Sequence, residues 1–199
     1  MKKIFIFLFV LPILISGCSS ASIKAYVSPS FKPGLLKSVA IFPMLNVKML
    51  PDETRQINNE IIQAFSSKNP NVIVIRPEES VELLSKASLS DKYTEFLKNY
   101  SSSGVPNIST LKEIGIALNV DAIIQGEMYN FVEIVGSIWQ WGSTSLTIRY
   151  VMLSTINGDV LWDAMSSAKK EKSAVAIPIY EVIKIASDQV LSSLPEMGK

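Results

Sequence analysis

The spacing of hydrophobic residues changes partway along this chain, and that change restricts the fold. Residues 38–42 and 72–75 are short apolar runs, each followed by a proline, as is typical of strands buried on both faces. Between them, residues 52–68 carry an apolar stripe at helical spacing, ended by Asn69 and Pro70. A strand, a helix and a strand in this order predict a parallel βαβ unit with a right-handed crossover.

From residue 121 onwards, apolar and polar residues alternate. Alternation predicts a long strand to residue 134, a second strand around residues 146–152 and a last strand over 159–167. The dipeptide at 157–158 is Asn-Gly, the strongest signal for a two-residue hairpin turn, so residues 121–167 should form an antiparallel meander. In this meander, Ile124, Met128, Val132 and Ile134 should share one face.

Pairing through a two-residue turn would give this meander a second apolar face. Leu153 would lie opposite Trp162, and Val151 opposite Ala164, on the face opposite Tyr150. A helix or a partner must then cover that face.

Apolar stripes predict further helices around 78–86, 91–100, 109–118 and 178–194. The pattern therefore predicts a single α/β domain with a mixed sheet of about five strands, parallel at its start and antiparallel at its end. The helices should pack on the sheet.

A basic and apolar segment opens the chain. Lys2 and Lys3 precede an apolar run over residues 4–15, and Ser16 and Gly17 follow it. This order is typical of a secretory signal peptide, and the run is too short to span a bilayer as a stable helix. The alternatives are an ordinary signal peptide, in which the nearby cysteine at position 18 has no role, or an uncleaved membrane anchor.

Residues 14–18, Leu-Ile-Ser-Gly-Cys, resemble the lipobox of bacterial lipoproteins, and Cys18 is the only cysteine. The resemblance implies that the Cys18 thiol is diacylated, that the chain is cut before this residue, and that the new amino group is acylated, with palmitate as a typical chain. Ser19 at the next position implies sorting to the outer membrane, with the domain facing the periplasm. The expected organisation is a signal peptide over 1–17, a lipidated cysteine and tether over 18–34, and a periplasmic α/β domain over 35–199.

Charge and composition exclude several functions. Cleavage would remove Lys2 and Lys3, leaving 17 basic residues against 18 acidic ones, which is no basis for binding nucleic acid. The chain has no histidine, which excludes Ser-His-Asp and Cys-His catalysis and His-ligated zinc. With Cys18 lipidated there is no disulfide, and no motif predicts a cofactor or a metal site.

Three passages in the predicted strands and hairpin, residues 38–43, 118–126 and 157–162, resemble one broad group of bacterial envelope lipoproteins. The group includes CsgG, LpoB, PelC and the amino-terminal domain of TolB. The resemblance implies a mixed α/β domain without enzymatic activity that acts by binding or assembly. Two roles follow: an accessory factor of a secretion, export or wall-synthesis system, or a ring-forming subunit of a CsgG-like secretion channel.

Aromatic residues concentrate around the glycine-bounded turn between the first two strands of the meander. Tyr129, Phe131, Trp139 and Trp141 are candidates for contact with a partner or with the lipid headgroups, while the alternative is packing on the domain's own core.

Glu127, Glu133 and Arg149 are expected to share the outward face of the meander. Two close carboxylates could support hydrolysis, which is a third functional hypothesis. A cross-strand ion pair is the alternative interpretation.

Overall fold

A computed structural model describes residues 19–29, 31–32, 34, 36–45, 50–137, 141–173 and 177–196. The strands in these residues are β1 (Ser19–Val27), β2 (Ser38–Ile41), β3 (Ile73–Ile75), β4 (Ala122–Ile134), β5 (Trp141–Ser154) and β6 (Val160–Ser173). The helices are α1 (Pro51–Lys68), α2 (Pro77–Lys86), α3 (Ser90–Ser103), α4 (Ile108–Leu118) and α5 (Ile179–Ser192).

The strands form one mixed sheet in the order β1-β6-β5-β4-β2-β3. β2 runs parallel to β3 and β4, whereas the β4–β5, β5–β6 and β1–β6 pairs are antiparallel. This confirms the predicted α/β class, the parallel βαβ start and the antiparallel meander. The sheet has six strands rather than about five.

The additional strand, β1, lies in the segment for which the sequence predicts a tether. Residues 19–27 pair antiparallel with β6 along their whole length, from Ser19 opposite Lys170 to Val27 opposite Trp162. The tether prediction is therefore wrong for these residues. Ala21 packs against the core beside Ala168. The segment was assigned to the tether because its composition, with small and polar side chains, is not typical of a strand.

Helices cover both faces of the sheet. On the first face, α1 and α5 pack against even-numbered residues of β4, β5 and β6, with Tyr150 and Trp162 as the largest fully buried side chains. On the second face, α2, α3 and α4 cover Ile123, Val151 and Leu153. The prediction of a second apolar face covered by helices is confirmed for Val151 and Leu153, whereas Trp162 and Ala164 lie on the first face with Tyr150. The helices of the second face do not extend over the hairpin end of β4 and β5, where this face is exposed.

The β5–β6 register differs from the predicted one. Trp162 lies opposite Met152, and Leu153 lies opposite Val160, with an irregularity between these two pairs. Residues 155–159 connect the strands as a five-residue loop in which Gly158 has a positive φ and Asn157 does not. A type I′ turn needs positive φ at both central residues, so the two-residue hairpin does not form.

Candidate functional site

The sheet has two ends with different chemistry. At one end, Ser19 starts β1 and aligns across the sheet with Lys170, Thr144 and Glu133. Cys18, the predicted lipidation site, immediately precedes Ser19 in the sequence. We call this the anchor end; the opposite end, where β2, β3 and β4 begin, is the distal end.

A β-bulge at Asn130 reshapes the anchor end. Tyr129 pairs with Thr147 and Val132 pairs with Ser145, so β4 contains one more residue than β5 over this stretch. Asn130 has a left-handed φ of 50°, a conformation that asparagine tolerates better than most residues. The extra residue reverses the alternation, so that Val132 and Ile134 lie on the second face rather than with Met128 as predicted.

The predicted aromatic residues do not form one cluster. The half-buried Tyr129 donates a hydrogen bond to Glu127 on the second face. Phe131, after the bulge, packs against the core of the first face. Trp141 is exposed at the anchor end, while Trp139 and Cys18 lie outside the described residues. For Phe131, the alternative of packing on the domain's own core is therefore correct.

Three exposed apolar residues at the anchor end were not predicted: Val132, Ile134 and Val135. Alternation alone placed the first two in the core. Asn130, just before a run of apolar residues, was the signal that could have indicated a bulge. With Trp141 they form a group that we call the tip cluster.

The charged residues of the meander form a structural network rather than a pair of carboxylates. Glu127 lies opposite Arg149 and Glu133 lies opposite Thr144. Because Arg149 and Thr144 are an odd number of residues apart on one regular strand, the two carboxylates point to opposite faces. The expected shared face of Glu127 and Glu133 is therefore wrong, and they cannot act together on one substrate.

Arg149 makes the ion pair in this network, with Asp163 on β6. Its Nε and Nη2 atoms donate to the two carboxylate oxygens at 2.9 and 2.5 Å. Its guanidinium carbon lies 5.8 Å from the ring centroid of Tyr100, at the end of α3. The hydrogen bonds to Asp163 raise the pKa of Arg149 above its already high ordinary value. Burial, followed by the hydrogen bond to Glu127, raises the pKa of Tyr129 to about 12. The network therefore holds α3 to the meander.

The distal end carries an open cavity of about 740 Å³, formed where β2, β3 and β4 begin and where α4 ends. Three isoleucines at its rim are exposed, Ile73, Ile116 and Ile156, and 82% of the Ile116 surface is accessible. Beside them, Lys37 and Lys112 line the cavity. We call these five residues the distal patch.

Asp121 stabilises the floor of this cavity. Its carboxylate accepts hydrogen bonds from the backbone N–H groups of Lys37 and Ser38, at 2.7 and 3.1 Å. Within the described residues, neither Lys37 nor Lys112 has a carboxylate within ion-pair distance. The distal patch therefore combines apolar surface with two unpaired positive charges.

The described residues contain neither a metal-binding cluster nor a helix that could span a membrane. No group of three or more acidic or sulfur side chains in this part of the chain is arranged to hold a metal ion. None of the helices in the same residues has the length and apolar character needed to cross a bilayer.

The fold resembles those of solved bacterial envelope lipoproteins. A PelC dodecamer from Paraburkholderia phytofirmans is 12% identical, with a TM-score of 0.48, covering 90% of this chain and 99% of that one. Lipoprotein GNA1162 from Neisseria meningitidis is 13% identical, with a TM-score of 0.44 and coverage of 79% and 99%. The LpoB C-terminal domain from Salmonella enterica is 8% identical, with a TM-score of 0.41 and coverage of 70% and 86%.

No protein-family model and no curated protein matches the sequence. At 8–13% identity, none of the structural likenesses transfers a partner or an assembly to this chain.

Proposed function

We propose that this protein is a lipoprotein held in the outer membrane through acylated Cys18, with its α/β domain in the periplasm. It acts without catalysis, as an accessory or assembly factor of an envelope secretion, export or wall-synthesis system. Its partners are membrane lipid, at Cys18, and an envelope protein, at the distal patch.

The observation that supports this proposal best is the opposite placement of the two features. Ser19 aligns with Glu133 near the end of β4, whereas the cavity lies where β4 begins, at Ala122. At about 3.3 Å per residue, these positions are about 35 Å apart along the strand. A chain anchored at Cys18 would therefore present the distal patch away from the membrane, where a periplasmic partner can reach it.

The chemistry of the distal patch defines the partner that fits. Ile73, Ile116 and Ile156 offer aliphatic surface, and Lys37 and Lys112 offer cations that form no ion pair within the described part of the chain. A segment with apolar side chains and nearby carboxylates would bury the isoleucines and neutralise the lysines. The opposite charges on the two surfaces would also accelerate their association, and the lysines would repel a basic competitor.

The anchoring is tested by acylation and fractionation. Cells expressing the full chain are fed radiolabelled palmitate, with Cys18→Ser as the comparison. We expect label on the parent protein alone and sedimentation of the parent with outer-membrane fractions. An unlabelled parent, or a Cys18→Ser protein that fractionates like the parent, would contradict the proposal.

The distal patch is tested by crosslinking in intact cells. A photoreactive amino acid replaces Ile116, and adducts are compared with and without Lys112→Glu. We expect a discrete adduct whose crosslinked peptide, sequenced by mass spectrometry, is acidic and apolar, and whose yield falls when the charge is reversed. Lys86→Glu is the control, because Lys86 is an exposed helix lysine that does not line the cavity. An adduct insensitive to Lys112→Glu, or no adduct, would contradict a role for this patch.

A second candidate function, a ring-forming subunit of a secretion channel, is favoured by one observation. β1 is an edge strand of nine residues, and no described strand pairs with its outer edge. Unpaired edges can add a strand from another copy of the chain. Light scattering on the unlipidated domain separates the two: a stable ring of many copies supports the channel, and a monomer or dimer supports the accessory factor.

A further inference from the structure

The anchor end exposes an apolar group that the domain itself does not cover. In the tip cluster, the exposed fractions are 52% for Val132, 46% for Ile134, 73% for Val135 and 47% for Trp141. Solvated strand ends normally carry polar residues, so four exposed apolar side chains around one hairpin indicate a contact surface.

Strand register places three of these side chains on the same face. Val132 lies opposite Ser145, and Ile134 lies opposite Ser143. Trp141 is two residues before Ser143 on a strand of unbroken register, so it shares their face. The bulge at Asn130 causes this arrangement, because without it Val132 and Ile134 would point into the core of the first face.

The same register fixes the position of the tip cluster relative to Cys18. Ser19 aligns with Glu133 through Lys170 and Thr144, across three strand spacings of about 4.8 Å, or about 15 Å in all. Trp141 lies three residues beyond Thr144, so β5 extends about 10 Å past the level of Ser19. The tip cluster is therefore level with the N-terminus of β1: Val132 lies one residue before this level and Ile134 one residue past it, and Trp141 projects beyond it.

We infer that the tip cluster enters the interface of the bilayer that holds the acyl chains of Cys18. This inference rests on the proposed lipid anchoring. Apolar surface that lies in a bilayer interface is buried about 5–10 Å deep, which matches the projection of Trp141 past Ser19. Indole rings favour this layer because they combine an apolar body with a polar N–H.

The contact would fix orientation rather than supply affinity. One acyl chain binds a membrane reversibly, and three chains already amount to a stable anchor. A second point of contact about 15 Å from the first would restrict the tilt of the sheet. The distal patch would then be held away from the lipid.

Among the side chains that the structure describes around the tip, no unpaired cation would attract it to anionic lipids. On the same face, Lys169 forms an ion pair with Glu171, and on the other face Lys170 pairs with Glu181. Glu133, on the other face of β4, adds a negative charge. The contact should therefore depend on apolar burial and change little with the fraction of phosphatidylglycerol.

The test uses the full, lipidated chain with one fluorescent label. Since Cys18 is the only natural cysteine and is consumed by acylation, Val135→Cys would supply a single free thiol for a nitrobenzoxadiazole label. Val135 is exposed, so the substitution does not disturb the core. Ile116→Cys, at the distal end, is the matched control. Both proteins are reconstituted in vesicles of phosphatidylethanolamine and phosphatidylglycerol, with and without doxyl-labelled lipid.

We expect the label at residue 135 to shift to shorter wavelength and to lose at least about half its intensity to doxyl lipid, because it lies in the interface. The label at residue 116 should be quenched by aqueous iodide instead. A label at residue 135 that behaves like the one at 116 would overturn the inference. A label at residue 135 that is shielded from iodide but not quenched by doxyl lipid would also overturn the inference, because protein rather than lipid would then cover the tip cluster.

Flotation of the vesicles separates the two proposals. If the protein floats and residue 135 remains in water, the anchoring stands and the tip contact is wrong. If the lipid-modified protein fails to float, the anchoring is wrong and the inference falls with it.

Discussion

The ring of Tyr150 lies over Gly126, the residue directly opposite it on the neighbouring strand. A Cβ atom at Gly126 would come within 2.9 Å of the Cδ1 and Cζ atoms of that ring. The absence of a side chain at Gly126 therefore leaves space for the Tyr150 ring, and the ring fills that space in the core of the first face.

Gly126→Ala should lower the free energy of unfolding by about 2–3 kcal/mol, because the fully buried Tyr150 ring cannot move away without strain. Urea denaturation of the soluble domain measures this change. Ser145→Ala, at a partly buried position on the second face of β5, should alter stability by less than about 0.5 kcal/mol. A Gly126→Ala domain as stable as the parent would show that the ring can shift freely.

Arg149→Met should destabilise the domain by about 1–3 kcal/mol, because it leaves the partly buried carboxylate of Asp163 without its two hydrogen bonds. The same change removes the cation over the ring of Tyr100. Chemical denaturation provides the measurement, and Lys86→Met, which breaks an exposed pair with Glu82, provides a control expected to change stability little. If Arg149→Met and Lys86→Met lowered the free energy of unfolding equally, a structural role for the partly buried Arg149–Asp163 pair would be contradicted.

Alkaline pH should destabilise the fold in part through Tyr129. Its pKa is raised to about 12 in the folded state by burial and by Glu127, and lies near 10 in an unfolded chain. The folded state then binds the phenol proton more tightly, so this contribution is complete below pH 10 and is lost as the pH rises towards 12.

Tyr129→Phe should therefore show a shallower loss of stability than the parent between pH 10 and 12, measured by urea denaturation at several pH values. The wild-type decline will not vanish, because burial also raises the pKa of Tyr93 and Tyr150. Identical pH profiles for the two proteins would refute this assignment.

A domain that begins at Ser28 should be less stable than one that begins at Ser19, by about 2 kcal/mol or more, because it loses the β1–β6 hydrogen bonds and exposes the edge of β6. Thermal unfolding of the two purified domains tests this. If residues 19–27 were only a tether, their removal would leave the melting temperature unchanged.

The parts of the fold that could be predicted from sequence are those with strong periodicity. The apolar runs around Val39 and Val74, the stripe of α1 and the alternation after residue 121 each indicated the correct element. The expected burial of β3 on both faces is wrong, because β3 is an edge strand and Ile73 is exposed. The remainder depends on single residues. Asn130 can adopt a left-handed conformation and create a bulge, and alternation does not indicate where this happens.

Residue chemistry also concealed two further features. In the loop after β5, Asn157 uses its side chain to bond Asp159 instead of entering the left-handed region. In β1, Ala21, Ile23, Ala25 and Val27 do alternate with polar residues, but the segment was assigned to the tether because it is rich in serine and precedes two prolines and a glycine. At the candidate site, the sequence left Trp141 either as a contact residue or as part of the core, and it is exposed. Val132 and Ile134 were assigned to the core because the bulge was not foreseen.

The start of β1 at Ser19 has a consequence for how the domain would meet other proteins. With no slack between an acylated Cys18 and the sheet, the domain could diffuse only within the plane of its membrane. The distance from Ser19 to the cavity, about 35 Å at about 3.3 Å per residue, would then set its vertical reach. A partner anchored in the opposite membrane would need a segment that reaches to about this distance from the first membrane. A partner in the same membrane would meet the domain by diffusion in the membrane plane.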